Sequence, residues 1–83
     1  MDIDDTAVRQ AIAMMLQAIE VRLEEAARIA RAASACARAG GLDEGVTIAL
    51  DIEQSIHEAG RLLDAMSFLN NRAIGLDAWR KAQ

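Results

Sequence analysis

Apolar and small residues recur at steps of four and three along residues 45 to 73. The series is Gly45, Ala49, Ile52, Ile56, Ala59, Leu63, Met66, Asn70 and Ala73. Because this spacing returns a residue to the same side of an α-helix at every turn, it predicts one stripe along a helix. At about 1.5 Å per residue the helix would be roughly 43 Å long. Such a stripe requires another helix or another chain to cover it.

The residues before this stretch supply a covering helix. They carry a second stripe at the same spacing, which consists of Val8, Ile12, Met15, Ile19, Leu23, Ala26, Ala30 and Ala33. Asp4, Asp5 and Thr6 stand where a helix N-cap is expected. The pair Gly40-Gly41 predicts the end of this helix, since glycine accepts the left-handed conformation of a C-terminal cap. A link this short makes the two helices antiparallel.

The pattern predicts one domain over residues 1–83. Helix 1 is expected at about 5–39, the turn at 40–43, helix 2 at about 44–74 and a short C-terminal turn at 77–83. Asp43 is the predicted cap of helix 2. Gly75 is followed by an apolar residue, which is typical of a Schellman motif and predicts the end of helix 2.

The fold class predicted from this pattern is all-α, an antiparallel two-helix hairpin. Both apolar arcs are wider than one partner helix covers, and two helices enclose little core between them. We therefore expect the hairpin to dimerise into a four-helix bundle, with further assembly through the wide apolar face at residues 11 to 21. The residues predicted to hold the interface are Ile12, Met15, Ile19, Ile52, Ile56, Leu63 and Met66.

Composition narrows the expected class and location. Apolar residues make up 53% of the chain, and there is no proline. The net charge of −4 argues against a nucleic-acid partner, because such proteins usually carry a basic excess. The single cysteine, Cys36, forms no internal disulfide and is interpreted as a small apolar residue. Every apolar run is much shorter than the roughly 20 residues that a membrane-spanning helix needs. The N-terminus is acidic, which is unlike a secretory or mitochondrial leader. We expect a cytoplasmic protein.

His57 is the only histidine and lies one helical turn after Glu53. The stretches LQAIEVRLEE and IEQSIHEAGRLLDAM resemble the encapsulated-ferritin family, whose two-helix protomers build a di-iron site between subunits. That resemblance implies Glu53 and His57 as metal ligands, together with Glu20 and Glu24 from a facing helix. However, Gln54 stands three residues before His57, where the family has the glutamate of its Glu-x-x-His pair. The residues themselves favour a half-exposed histidine on a charged flank, with no metal and no cofactor.

Arg28, Arg31 and Arg38 form a run of cations with no acid between Glu25 and Asp43. If the three aligned on one face of a dimer they would make a phosphate-binding stripe, and the hairpin would then be similar to the Rop-type RNA-binding dimers. No aromatic residue lies nearby to stack on bases. Arginines near a helix C-terminus also stabilise the helix dipole, so we interpret the run as a solvated face.

The sequence shows no catalytic motif. A glycine-rich phosphate loop, a Ser-His-Asp order, a paired-cysteine motif and a metalloprotease helix are all missing from it. We therefore predict no catalytic residue and no enzymatic activity. The expected function is a small non-catalytic protein–protein interaction or regulatory module that acts as a homo-oligomeric helical bundle. The expected partner is the chain itself, as a homodimer or higher oligomer, and another protein is a further candidate. The alternatives are a ferritin-like metal-binding protein with an intersubunit carboxylate/His site, and a Rop-like RNA-binding hairpin dimer.

Overall fold

The computed structural model describes residues 5–82, and these residues form α-helices joined by short turns. Helix α1 spans Asp5–Arg38, α2 spans Leu42–Ala49 and α3 spans Ile52–Ala82. The chain reverses direction at the turn between α1 and α2, and α1 packs against both α2 and α3. The fold is therefore an antiparallel hairpin with α1 as one arm and α2 and α3 as the other. Its extents are 66 × 16 × 16 Å. The predicted all-α class is confirmed, while Asp4 and Gln83 lie outside the described residues.

The turn after α1 is a Schellman motif, as the glycine pair predicts. Gly40 has a φ of +99°, and its N–H donates to the carbonyl of Ala37 at 3.1 Å. The N–H of Gly41 donates to the carbonyl of Cys36 at 3.0 Å. These two bonds satisfy carbonyl groups that the last turn of a helix leaves free.

The predicted start of the second helix is wrong by two residues. Helix α2 begins at Leu42 with Gly41 as its N-cap, and no side chain donates or accepts a capping hydrogen bond there. Asp43 lies in the first turn instead, with Glu44 beside it. Their negative charges complement the positive end of the helix dipole from that position, so the acids stabilise the helix without capping it.

The predicted helix over 44–74 also differs from the structure in its middle and at its end. The α-helical hydrogen-bond pattern is interrupted after Leu50, whose own φ of −63° and ψ of −23° are still α-helical. The N–H of Asp51 donates to the carbonyl of Ile48 at 3.1 Å, which is three residues back. This tighter 3₁₀-type turn separates α2 from α3, and no proline or glycine marks it in the sequence.

Beyond this turn, α3 continues through Gly75 to Ala82. The predicted Schellman end at Gly75 and the separate turn at 77–83 are therefore wrong. Among the described glycines only Gly40 has a positive φ. A glycine permits the left-handed conformation but does not impose it, and the residues that follow Gly75 are able to remain helical.

Burial follows one row of residues on each arm of the hairpin. On α1 the row is Val8, Ile12, Met15, Ile19, Arg22, Ala26, Ile29, Ala33 and Cys36. On α2 and α3 it is Gly45, Ile48, Ile52, Ser55, Ala59, Leu62, Met66 and Leu69. Steps of three and four residues average 3.5, which is the period of helices that wrap around each other with a left-handed twist. We call these two rows the seam.

The seam differs from the predicted stripes at alternate positions. On α3 it contains Ser55, Leu62 and Leu69, whereas the predicted stripe contained Ile56, Leu63 and Asn70, all of which are exposed. On α1 the predicted positions Leu23 and Ala30 are likewise exposed, and their neighbours Arg22 and Ile29 lie in the seam. The side chain of Ala73 lies outside the described residues.

Small residues occupy the most buried positions, which explains this choice of seam. Ala26, Ala33, Ala59 and Ser55 are the buried side chains, and no large side chain of the described residues is fully buried. At Gly45 the approach is closest, because a Cβ built there would lie 2.8 Å from the carbonyl oxygen of Ala33. Larger side chains at these positions would hold the helices apart, and the large residues elsewhere in the seam, such as Ile12 and Met66, are only half-buried.

Candidate interaction surfaces

Arg22 connects the two arms of the hairpin and marks one side of it. Its Nε lies 3.0 Å from Oε2 of Glu58 on α3, and its Nη1 donates to Oε2 of Glu25 at 3.0 Å. Gln54 donates from Nε2 to Oε1 of Glu58 at 2.8 Å. Because one arginine reaches both carboxylates, Glu25 and Glu58 lie on the same side of the rod. The sequence prediction missed this cluster, although an arginine in an otherwise apolar row is the signal that could have revealed it.

The opposite side of the rod carries exposed aliphatic side chains on both arms. Leu23 follows the seam residue Arg22 by one position and Glu25 follows it by three, so Leu23 and Glu25 flank the seam on opposite sides. The same relation holds on α3 for Ile56 and Glu58 around Ser55. Leu23 and Ile56 therefore lie together on the side away from the ion pair.

Other exposed aliphatic residues continue this surface at helical spacing. We call the whole set the aliphatic face, and its members are between 50% and 66% exposed. It consists of Leu16, Leu23, Leu42, Val46, Ile56 and Leu63. None of these side chains is charged, and the face extends from the turn between α1 and α2 to the middle of both long helices.

The side marked by the ion pair carries a second exposed apolar group, which we call the aromatic face. Val21 lies one helical turn before Glu25, and Met14 lies seven residues before Val21. Trp79 lies on α3, three steps of seven residues after Glu58, and so on the same flank of this helix. The members of this face, Met14, Val21, Phe68 and Trp79, are between 50% and 69% exposed. It includes both aromatic residues of the chain.

The predicted interface residues fall into two groups in the single hairpin. Five of them are half-buried in the seam: Ile12, Met15, Ile19, Ile52 and Met66. Ile56 and Leu63 belong to the aliphatic face, where they are 55% and 50% exposed. That all seven hold an interface between chains stays a prediction, and Ile56 and Leu63 have the largest exposed area to contribute to it.

The two residues of α3 considered as metal ligands, Glu53 and His57, lie on the outer side of this helix. Glu53 and His57 are exposed and line a shallow depression beside the 3₁₀-type turn, together with Leu50, Asp51 and Gln54. Within residues 5–82, no three His, Cys, Asp or Glu side chains with described positions are arranged to share a metal ion.

Cys36 and the three arginines of the predicted cationic run occupy different environments. The half-buried thiol of Cys36 donates to the carbonyl of Gly41 at 3.4 Å, inside the turn. Arg28, Arg31 and Arg38 are all exposed on α1. Arg38 donates from Nη1 to the hydroxyl of Ser34 at 2.7 Å. Their alignment across an assembled dimer stays a prediction.

Comparison with known protein families, with curated proteins and with solved structures finds no match for this chain. In the described part of the chain, no helix combines the length and the apolarity that crossing a bilayer requires. The surfaces described above are therefore the basis for assigning a function.

Proposed function

We propose that the chain is a small non-catalytic interaction module, a regulator or assembly partner, that acts as a homodimer. In this proposal two hairpins join through their aliphatic faces into a four-helix bundle. Each helix of such a bundle needs an apolar arc that covers one neighbour in its own hairpin and one in the other. The seam and the adjoining aliphatic face together supply an arc of that width. The free thiol of Cys36 suits a reducing compartment, so we propose the cytoplasm as the place of action.

The accessible area of the single hairpin is the observation that carries this proposal. One chain of 9.0 kDa exposes 6390 Å². A compact monomer of this mass exposes about 4,900 Å² according to the size scaling of globular proteins. The excess of about 1,500 Å² is larger than the roughly 800 Å² per partner of a standard interface and is typical of an obligate homodimer. The rod therefore has surface to bury in one more interface of that size.

The chemistry of the aliphatic face favours a second copy as the partner. In a two-fold symmetric dimer the same patch meets itself, so any charge on the patch would face a like charge. The six members of the aliphatic face are uncharged, and the exposed Glu53, which follows Val46 by seven residues, lies at its edge. Leu23 and Ile56 lie near its centre, and apolar side chains there would be covered on both copies at once.

The molar mass in solution tests the proposal directly. Light scattering on a sizing column, at several loading concentrations, is expected to give twice the 9.0 kDa of one chain. A mass of one chain at every concentration would exclude the homodimer. The aliphatic face would then have to serve a different protein, and the proposed function would be wrong in its central feature.

A further inference from the structure

The aromatic face is built differently from the aliphatic face. The row next to the seam on this side, which we call its floor, contains Ala11 and Ala18 of α1, which are half-buried, and Ala65 of α3, which is exposed. Seven-residue steps relate these alanines to Glu25 and Glu58, which belong to the same rows. Larger exposed side chains, those of Met14, Val21 and Phe68, stand beside this floor. Small floor residues allow the backbone of a further helix to approach closely, and methionine adapts to the shape of what it contacts.

Basic side chains accompany the apolar residues on this side. Arg72 lies one helical turn after Phe68, and Arg61 lies seven residues before it; both are exposed. Arg28 follows Val21 by seven residues and is also exposed. These arginines share the same flank of the seam as the apolar members, because seven residues are close to two full helical turns.

The acids on the same side neutralise these arginines only in part. Glu25 and Glu58 share the single cation of Arg22, so this cluster keeps one net negative charge. Among the described side chains, no carboxylate lies within ion-pair distance of Arg61 or Arg72. Arg28, Arg61 and Arg72 exceed the residual charge of the cluster, so the aromatic face presents an excess of positive charge around an apolar centre, although the whole chain has a net charge of −4.

We propose that the aromatic face docks an amphipathic helix of a partner protein whose apolar stripe is flanked by Asp and Glu. A groove between two antiparallel helices accepts a third helix through its apolar stripe, and acidic flanks would meet the arginines. Aromatic residues, Met and Arg are also the side chains enriched in protein interfaces. The inference rests on the proposed interaction role but not on the homodimer, because it uses the other side of the rod.

A pair of designed peptides tests the chemistry of this site. The acidic peptide is a fluorescein-labelled amphipathic helix of about 21 residues, roughly 30 Å long, with Leu along one stripe and Glu on both flanks. The control peptide has Lys in place of every Glu. Fluorescence anisotropy is expected to show at least tenfold tighter binding of the acidic peptide, with the preference lost at high salt. Equal binding of the two peptides, or binding of neither, would overturn the proposal.

Substitutions locate the binding on the rod. Arg61→Gln and Phe68→Ala are each expected to weaken binding of the acidic peptide by threefold or more. Arg31→Gln, which removes an exposed arginine that lies off the aromatic face, is the matched control and should leave the affinity unchanged. Helicity measured by circular dichroism verifies that each variant folds. If Arg31→Gln weakened binding as much as Arg61→Gln, the peptide would be responding to net charge and the site would be wrong.

Two further probes distinguish other ligand classes, and one variant separates this inference from the dimer. Tighter binding of labelled oligo(U), or of vesicles rich in phosphatidylglycerol, than of the acidic peptide would overturn the proposal in favour of a nucleic acid or a lipid surface.

The variant Ile56→Asp, which disrupts the aliphatic face, is expected to bind the acidic peptide as the parent does. Loss of the dimer would thus leave this result intact, and failure of peptide binding would leave the measured mass unchanged.

Discussion

The substitution Ile56→Asp changes the aliphatic face and leaves the seam untouched. Ile56 is 55% exposed in the single hairpin, so its aspartate variant keeps a solvated carboxylate there. In the proposed bundle the same position is covered by the second copy. The carboxylate would then be buried without a hydrogen-bond or ion-pair partner, and this burial raises the free energy of the dimer. The hairpin should survive the change while the dimer should not.

The size of the effect follows from the exposure of Ile56. Burying the remaining half of an isoleucine side chain contributes about 1 kcal/mol. Burying an unpaired polar group costs at least about 2 kcal/mol more. Because a two-fold dimer contains the change twice, the dimer loses about 6 kcal/mol, or roughly four decades in the dissociation constant. A parent dimer with a micromolar constant would become monomeric at any practical concentration.

Leu50→Asp is the matched control for this experiment. Leu50 is 64% exposed but lies at the turn between α2 and α3, on the outer side of the hairpin and away from the aliphatic face. It is expected to keep the parent mass in light scattering, whereas Ile56→Asp runs at the 9.0 kDa of one chain and retains its helicity. The reasoning is refuted if Ile56→Asp keeps the parent mass, or if both variants dissociate to the same extent.

The remaining predictions concern stability and are checked by thermal unfolding. Gly45→Ala would place a methyl group 2.8 Å from the carbonyl oxygen of Ala33, so it should destabilise the fold by about 1–3 kcal/mol. An unchanged midpoint of thermal unfolding would contradict this close approach. Gly75→Ala meets no atom within 4 Å and should stabilise α3 by about 0.5–1 kcal/mol; a loss of stability would instead indicate a left-handed glycine there. Glu58→Gln removes the ion pair with Arg22, whose two side chains are 38% and 39% exposed, so we expect a loss below about 1 kcal/mol that disappears in 1 M salt.

Local sequence chemistry was sufficient for helix 1 and for the turn that follows it. Helix 1 was predicted at about 5–39 and is observed at Asp5–Arg38. The glycine pair predicted the Schellman motif, whose hydrogen bonds involve residues only three to five positions apart. The same local logic was wrong at Gly75 and gave no warning of the turn at Leu50. Glycine permits the left-handed conformation at Gly75 without imposing it, and no proline or glycine marks the turn at Leu50.

Tertiary contacts decided which side of each helix is inside. A stripe through Ile56 and a stripe through Ser55 both fit a helical period, because they share every second position. The choice depended on how closely two backbones can approach, and small residues such as Ser55 and Ala26 allow the closest approach. This choice left Ile56 exposed and thereby created the aliphatic face. It also brought Arg22 to Glu58, a pairing between residues far apart in the chain that periodicity within one helix does not encode.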